Sequence, residues 1–221
     1  MQSGSKYKRN QVDEAIAAVL RRDRDGAPQH VRTRIKRLLD LDRVLGRKGE
    51  SEDPVRREFA FYGDEAPGKG VEVRFTAYEA FALLIALRVL DHGWPQGAVV
   101  RMMRGVRRKL EREHRRILDQ DPAPLFDQKG VLSRARPGMI AVSNTDPTFL
   151  AIVTRAASKR SARSGSPHPV DVCRGQEELV RFIINKAPPG MATTSLELVG
   201  SAHTLAHYLA ETEPRSRGRR R

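Results

Sequence analysis

Apolar residues recur at helical spacing over much of the first 118 positions. Val12, Ile16, Val19 and Leu20 form one stripe and predict a helix over 11–22. Asn10 can cap it, and Asp13 and Glu14 suit its first turn. Asp25, Gly26 and Pro28 then break the pattern. Val31, Ile35, Leu38, Leu39 and Leu45 predict a second helix over 29–45, ended by Gly46. Residues 59–62 and 71–75 alternate apolar and polar, and turn-forming residues connect them. They predict a β-hairpin over 59–75 with Phe59, Phe61, Val71, Val73 and Phe75 on one face.

Thr76 and Glu79 have the spacing of a capping box and open a third helix that ends near Gly93. A fourth helix is expected over 95–118, with Pro95 in its first turn. Residues 121–138 contain Pro122, Pro124 and Pro137 and read as a linker. Beyond it the pattern is mixed. Strands are expected at 139–143, 149–154 and 170–173, and a helix at 175–186. Thr194 and Glu197 have capping-box spacing, which predicts a last helix running to about Thr212. The tail after Pro214 is a disordered basic segment by composition. The predicted fold is α+β and mainly helical. An N-terminal winged helix-turn-helix domain (1–120) precedes the linker and a small mixed α/β domain (139–213).

Charge narrows the function. The chain carries a formal charge of +14, divided as +7 over 1–121 and +7 over 122–221. Such an excess favours a polyanionic partner. In the first half it sits on predicted helices, in the second on a loop and the tail. The order helix, basic helix, hairpin fits a domain whose second helix enters the major groove while a wing grips the backbone. The residues expected to contact DNA are Arg32, Arg34, Lys36, Arg37 and Arg43 on the second helix, with Lys69 and Arg74 on the wing. A solvated charged face is the competing reading for that helix and for the basic run 101–116.

The segment 59–110 resembles part of the MerR-type winged helix-turn-helix regulators. In that family an aromatic residue follows the wing, then a Ser or Thr cap, an acidic residue and a helix-Gly-aromatic-helix unit. Here Phe75, Thr76 and Glu79 stand in that order, followed by Leu83, Leu84, Ile85, Leu87, Leu90, Gly93, Trp94, Val99 and Val100. The resemblance implies a dimeric transcriptional regulator, its fourth helix leading towards the dimer contact. The chain departs from the family in the length of its second helix and in the break at 22–28. No effector cysteine cluster is visible.

Other chemistry is thin. His203, His207 and Glu211 lie a helical turn apart, but no further ligand motif accompanies them. Cys173 is the single cysteine, which suits a reducing cytoplasm and a buried small residue. Gly68-Lys69-Gly70 lacks the rest of a phosphate loop. Trp94 reads as a plug at the helix joint. No apolar run approaches the ~18 residues of a membrane span, and no secretory h-region opens the chain. The expectation is a homodimeric, cytoplasmic, nucleoid-associated, sequence-specific regulator that binds double-stranded DNA. It needs no cofactor or metal and is not an enzyme, and 139–213 serves oligomerisation or a protein partner. The alternative is a non-specific nucleic-acid binder for packaging, replication or plasmid and phage maintenance that uses basic helices and the Arg-rich tail.

Overall fold

The computed structural model describes residues 6–21, 26–46, 58–63, 72–134, 143–154 and 168–214. The described chain is mainly helical, with two small antiparallel sheets. It divides into two compact units. One is Met1–Gln96 with Thr204–Arg221, and the other is Gly97–His203. The boundary expected at 121–138 is therefore not where the chain divides. Pro122 and Pro124 open a short helix, Pro122–Leu125, whose first turn is capped by Asp121 accepting from the Ala123 amide at 3.0 Å. Proline is tolerated in a first helical turn, so the same residues that signal a break can signal a start.

In the first unit, α1 (Arg9–Arg21) and α2 (Gln29–Gly46) pack on each other and on α3 (Ala77–Asp91). Asn10 lies inside α1 rather than capping it. The apolar stripes do what their spacing predicts. Val12, Ile16, Val31, Ile35, Leu38 and Leu39 are all buried. The α3 helix is apolar nearly all round and buried nearly all round, as a helix at the centre of a core must be. Thr76 and Glu79 form the predicted capping box, with the Thr76 amide donating to Glu79 Oε2 at 2.8 Å and the Glu79 amide to Thr76 Oγ1 at 3.2 Å. At its other end Gly93 takes φ of +83°, a region that glycine enters without Cβ strain.

The hairpin expected over 59–75 is corrected. Residues 60–63 form bends and Phe59 is in no strand, and Lys69 and Val71 lie outside the described residues. Strand β2 (Arg74–Phe75) pairs instead with β1 (Tyr7–Lys8), in antiparallel register Tyr7 to Phe75. The cause is a side chain. The carboxylate of Asp42, fully buried on α2, accepts from the Ala60 amide at 3.1 Å and the Phe61 amide at 3.0 Å. Those amides need no strand partner. Phe61, Tyr62 and Phe75 still reach the core. Asp42→Ala leaves two buried donors unpaired, and a loss of about 2–3 kcal/mol is expected in urea unfolding. A shift within ~0.5 kcal/mol, the range of an ordinary surface change, would mean that the loop holds itself.

The second unit is built on α4 (Gln96–Leu118), of which it contains all but the first residue. The short helices α5 (Pro122–Leu125) and α6 (Gln128–Arg134) follow. Strand β3 (Thr148–Val153) is the centre of a three-stranded antiparallel sheet, between β4 (Val170–Arg174) and β5 (Thr193–Glu197). All six β3 residues are buried, so both of its faces are covered. On one face Phe149, Ala151 and Cys173 pack with Leu179, Phe182 and Ile183 of α7 (Gly175–Lys186). The strand expected at 139–143 falls outside the described residues except for Ser143, which is in a bend.

The helix predicted from Thr194 is also corrected. Thr194 is in β5, opposite Ile152. The last helix, α8, runs Val199–Glu211, and the boundary between the units falls within it. Glu197 keeps a capping role from one step earlier, because its carboxylate accepts from the Val199 amide at 2.7 Å and the Gly200 amide at 3.0 Å. No helix among the described residues is long and apolar enough to cross a membrane.

Candidate nucleic-acid interface

The phase of α2 is fixed by its buried side. With Val31, Ile35, Leu38 and Leu39 inward, the opposite face presents Gln29, His30, Arg32, Lys36, Arg37, Asp40 and Val44, all exposed. The side chains of Arg32, Lys36 and Arg37 form no hydrogen bond or salt bridge with a described residue, although the Arg32 charge acts on the buried Asp13 carboxyl. Asp40, the acidic member, has Arg43 at 3.7 Å. What remains is a positive face with an amide and an imidazole near its N-terminal end. Arg and Lys suit phosphate or guanine edges, and Gln suits adenine.

The other expected contacts are placed differently. Arg34 Nη2 donates to Asp91 Oδ1 at 2.6 Å and to the Leu87 carbonyl at 3.2 Å. It satisfies a carbonyl at the C-terminal end of α3, where a cation also opposes the helix dipole. Arg43 lies over the Tyr62 ring at 5.8 Å and donates to its hydroxyl at 3.4 Å. Both arginines tie elements of the first unit together. Arg74 is exposed on β2, with Glu72 at 3.6 Å, and Lys69 is outside the described residues. The structure leaves Arg32, Lys36 and Arg37 exposed across the broad outward side of α2 and places Arg34, Arg43 and Arg74 with internal partners. Gln29 and His30 were missed because only cations were sought. Their exposed positions in the first turn of the helix could have flagged them.

In the second unit one cluster of charged groups is internally matched. Glu113 is buried, 3% exposed. Arg174 reaches it with Nη2 at 2.7 Å and Nε at 3.1 Å, and Arg116 Nε lies at 2.8 Å. Arg116 continues to Asp146 at 2.7 Å and to Thr148 Oγ1 at 2.8 Å. Burial raises the Glu113 carboxyl, but hydrogen bonds from Arg174 and Arg116 outweigh it and hold the group below its usual range. Both Glu113 oxygens have a partner, so the cluster reads as structural glue linking α4 to β4.

His114 is buried on α4. Burial, and then the charge of His203, depress it from 6.5 to about 4. The unfolded chain therefore takes up a proton that the folded chain refuses between those values. Stability should fall as pH drops from about 6.5 towards 4 and level off below, by about 3 kcal/mol for this group alone. His203 is lowered too, mainly by burial, and adds to the same trend, while the buried Asp13 carboxyl is raised and opposes it. Urea midpoints against pH check this, and His114→Gln should flatten the slope. An unchanged slope would show that His114 does not carry it.

The remaining candidates do not converge. His203 lies edge-on to the Phe126 ring, whereas His207 pairs with Glu211 at 3.3 Å. No group of three or more His, Cys, Asp or Glu among the described residues could hold a metal. The Cys173 thiol is pushed up to about 11 by burial and by Asp171, so it is not poised as a nucleophile. Trp94 is buried and is not displayed for stacking on a base. No protein-family model matches the sequence, and no curated protein proved similar to it.

Proposed function

We propose that the protein is a sequence-specific, double-stranded DNA-binding regulator of transcription, nucleoid-associated in the cytoplasm, that reads DNA with α2. The observation that carries this reading is the outward face of α2. Arg32, Lys36 and Arg37 stand there beside Gln29 and His30 on a helix whose other side is locked into a core. A rigid helix with mixed cationic and amide side chains meets the geometric need of major-groove reading. The hairpin part of the winged-helix expectation has no support in the described residues, so the proposal rests on the helix. A homodimer suits the reading, because paired half-sites multiply specificity. Val180 (46% exposed) and Ile184 (73% exposed) stand outward on α7 and give the second unit an apolar feature towards such a contact. The molar mass in solution checks the dimer.

Selection from a library of random duplexes, followed by footprinting, tests the function. The expected result is enrichment of one motif and protection of it. Equal recovery of all duplexes would leave only sequence-blind binding, and recovery of none would remove DNA as the partner.

A further inference from the structure

The three-stranded sheet has two outer edges, one on β4 and one on β5. In an antiparallel ladder, alternate residues turn their N–H and C=O towards one neighbour or the other. The Leu198 amide donates to the Thr148 carbonyl at 2.8 Å, and the Thr154 amide donates to the Ala192 carbonyl at 2.9 Å. These bonds fix the phase of β5. Thr194 and Leu196 face β3, opposite Ile152 and Leu150, while Thr193, Ser195 and Glu197 turn their backbone groups outward. On β4 the Val153 amide donates to the Pro169 carbonyl at 2.9 Å and the Gly175 amide to the Pro147 carbonyl at 2.7 Å. By the same alternation Val172 and Arg174 turn outward there.

Water satisfies many edge strands, but the two edges here are finished differently. On β4 the Val172 amide donates to Asp171 Oδ1 at 2.8 Å, and the Arg174 amide donates to Glu178 Oε2 at 2.8 Å. Carboxylates thus occupy both outward donors, and charge on an edge keeps it from pairing. On β5 the Glu197 carbonyl accepts from Ser201 Oγ at 3.2 Å, which closes that end. The N–H and C=O of Thr193 and Ser195 have no hydrogen-bond partner among the described residues, and both residues are exposed. This stretch holds no proline or cation, and its register with β3 runs unbroken from Thr193 to Glu197. The usual devices that blunt an edge are missing where the backbone is open.

We infer that the β5 edge docks a second copy of the chain, β5 against β5 in antiparallel order. The inference rests on the homodimer proposed above for its choice of occupant and needs no DNA. A two-fold axis at Thr194 sets Thr193 opposite the partner's Ser195, and Ser195 opposite the partner's Thr193. Every unpartnered N–H and C=O of Thr193 and Ser195 then bonds across the axis. The arrangement is self-complementary, as a two-fold contact has to be. Thr and Ser set directly opposite one another are favourable pairs. No charge meets a charge, because Glu197 falls opposite the partner's Met191. The joined sheet ends on the two β4 edges, which the carboxylates close, so assembly stops at two copies. The contact is short, and its Kd should lie at about 1–100 µM.

The test uses the full chain and reads molar mass by sedimentation equilibrium over about 1–500 µM. T193K/S195K sets like charges directly opposite and should weaken the dimer roughly tenfold or more. T193K/S195E sets opposite charges there and should restore it to within about threefold, which a folding defect would not allow. T194C should give a disulfide-linked dimer on oxidation, because opposed residues without mutual hydrogen bonds have Cα atoms ~4.5 Å apart. T193C, offset from its own copy by two residues, should not, and the native Cys173 is buried and does not compete. A wild type that stays monomeric throughout would overturn the edge contact and the homodimer together. It would leave the edge to an extended segment of another protein and the α2 reading to the selection experiment. Unchanged dimer affinity in T193K/S195K would overturn the edge alone and leave the homodimer to the apolar side of α7.

Discussion

Glu113→Ala should lower the stability of the protein by about 3 kcal/mol, among the largest single-residue losses in the chain. The carboxylate is almost wholly buried and is gripped by Arg174 at two nitrogens and by Arg116. Breaking a buried pair from one side costs about 3–5 kcal/mol, because the opposite charges are left without a partner. The lower end applies here, since the Arg174 side chain is 49% exposed and water can recover part of its charge. Glu113→Gln keeps the shape and two polar atoms and should lose less. Urea unfolding at pH 7 measures both. Because Arg116 also holds Asp146 and Thr148, Arg116→Ala and Glu113→Ala should not be additive. Additive losses would show that the two groups act independently.

The variant R32A/K36A/R37A should bind the selected duplex more weakly by about 3–6 kcal/mol, some hundred- to ten-thousand-fold, taking about 1–3 kcal/mol per contact and allowing for non-additivity. Its folding should be unaltered within about 0.5 kcal/mol, because all three side chains are exposed and form no bond to a described residue. Arg34→Ala should behave in the opposite way. It removes the bonds to Asp91 and the Leu87 carbonyl, so its effect should fall on stability before it falls on DNA. Titration of labelled duplex by fluorescence anisotropy separates the two patterns. Wild-type affinity in the triple variant would take α2 out of the interface.

Much of the helical framework was legible in the sequence because helices are local. The apolar period of 29–45, the Thr76 and Glu79 box and the turn at Gly93 each act within a few residues, and the structure follows them. The small sheet of the first unit was not legible. Phe75 pairs with Tyr7, from the far end of the unit's sequence, and residues 59–62 alternate like a strand while the Ala60 and Phe61 amides are taken by Asp42. Thr194 and Glu197 satisfied the capping-box spacing, yet pairing with β3 claimed Thr194 and left Glu197 to cap from outside the helix. The interface residues were half legible. Composition pointed to α2, but it could not tell Arg32, Lys36 and Arg37 from Arg34 and Arg43, whose partners lie on α3 and at Tyr62.

The central claim, that α2 reads duplex DNA, is tested most directly by measuring affinity for the selected and a random duplex over one salt series. At least a ~10³-fold preference for the selected duplex is expected at ~0.15 M salt. Both affinities should fall linearly on a log–log plot as salt rises, and the preference should collapse in R32A/K36A/R37A. Equal affinities for the two duplexes, or a preference that survives in the triple variant, would contradict it.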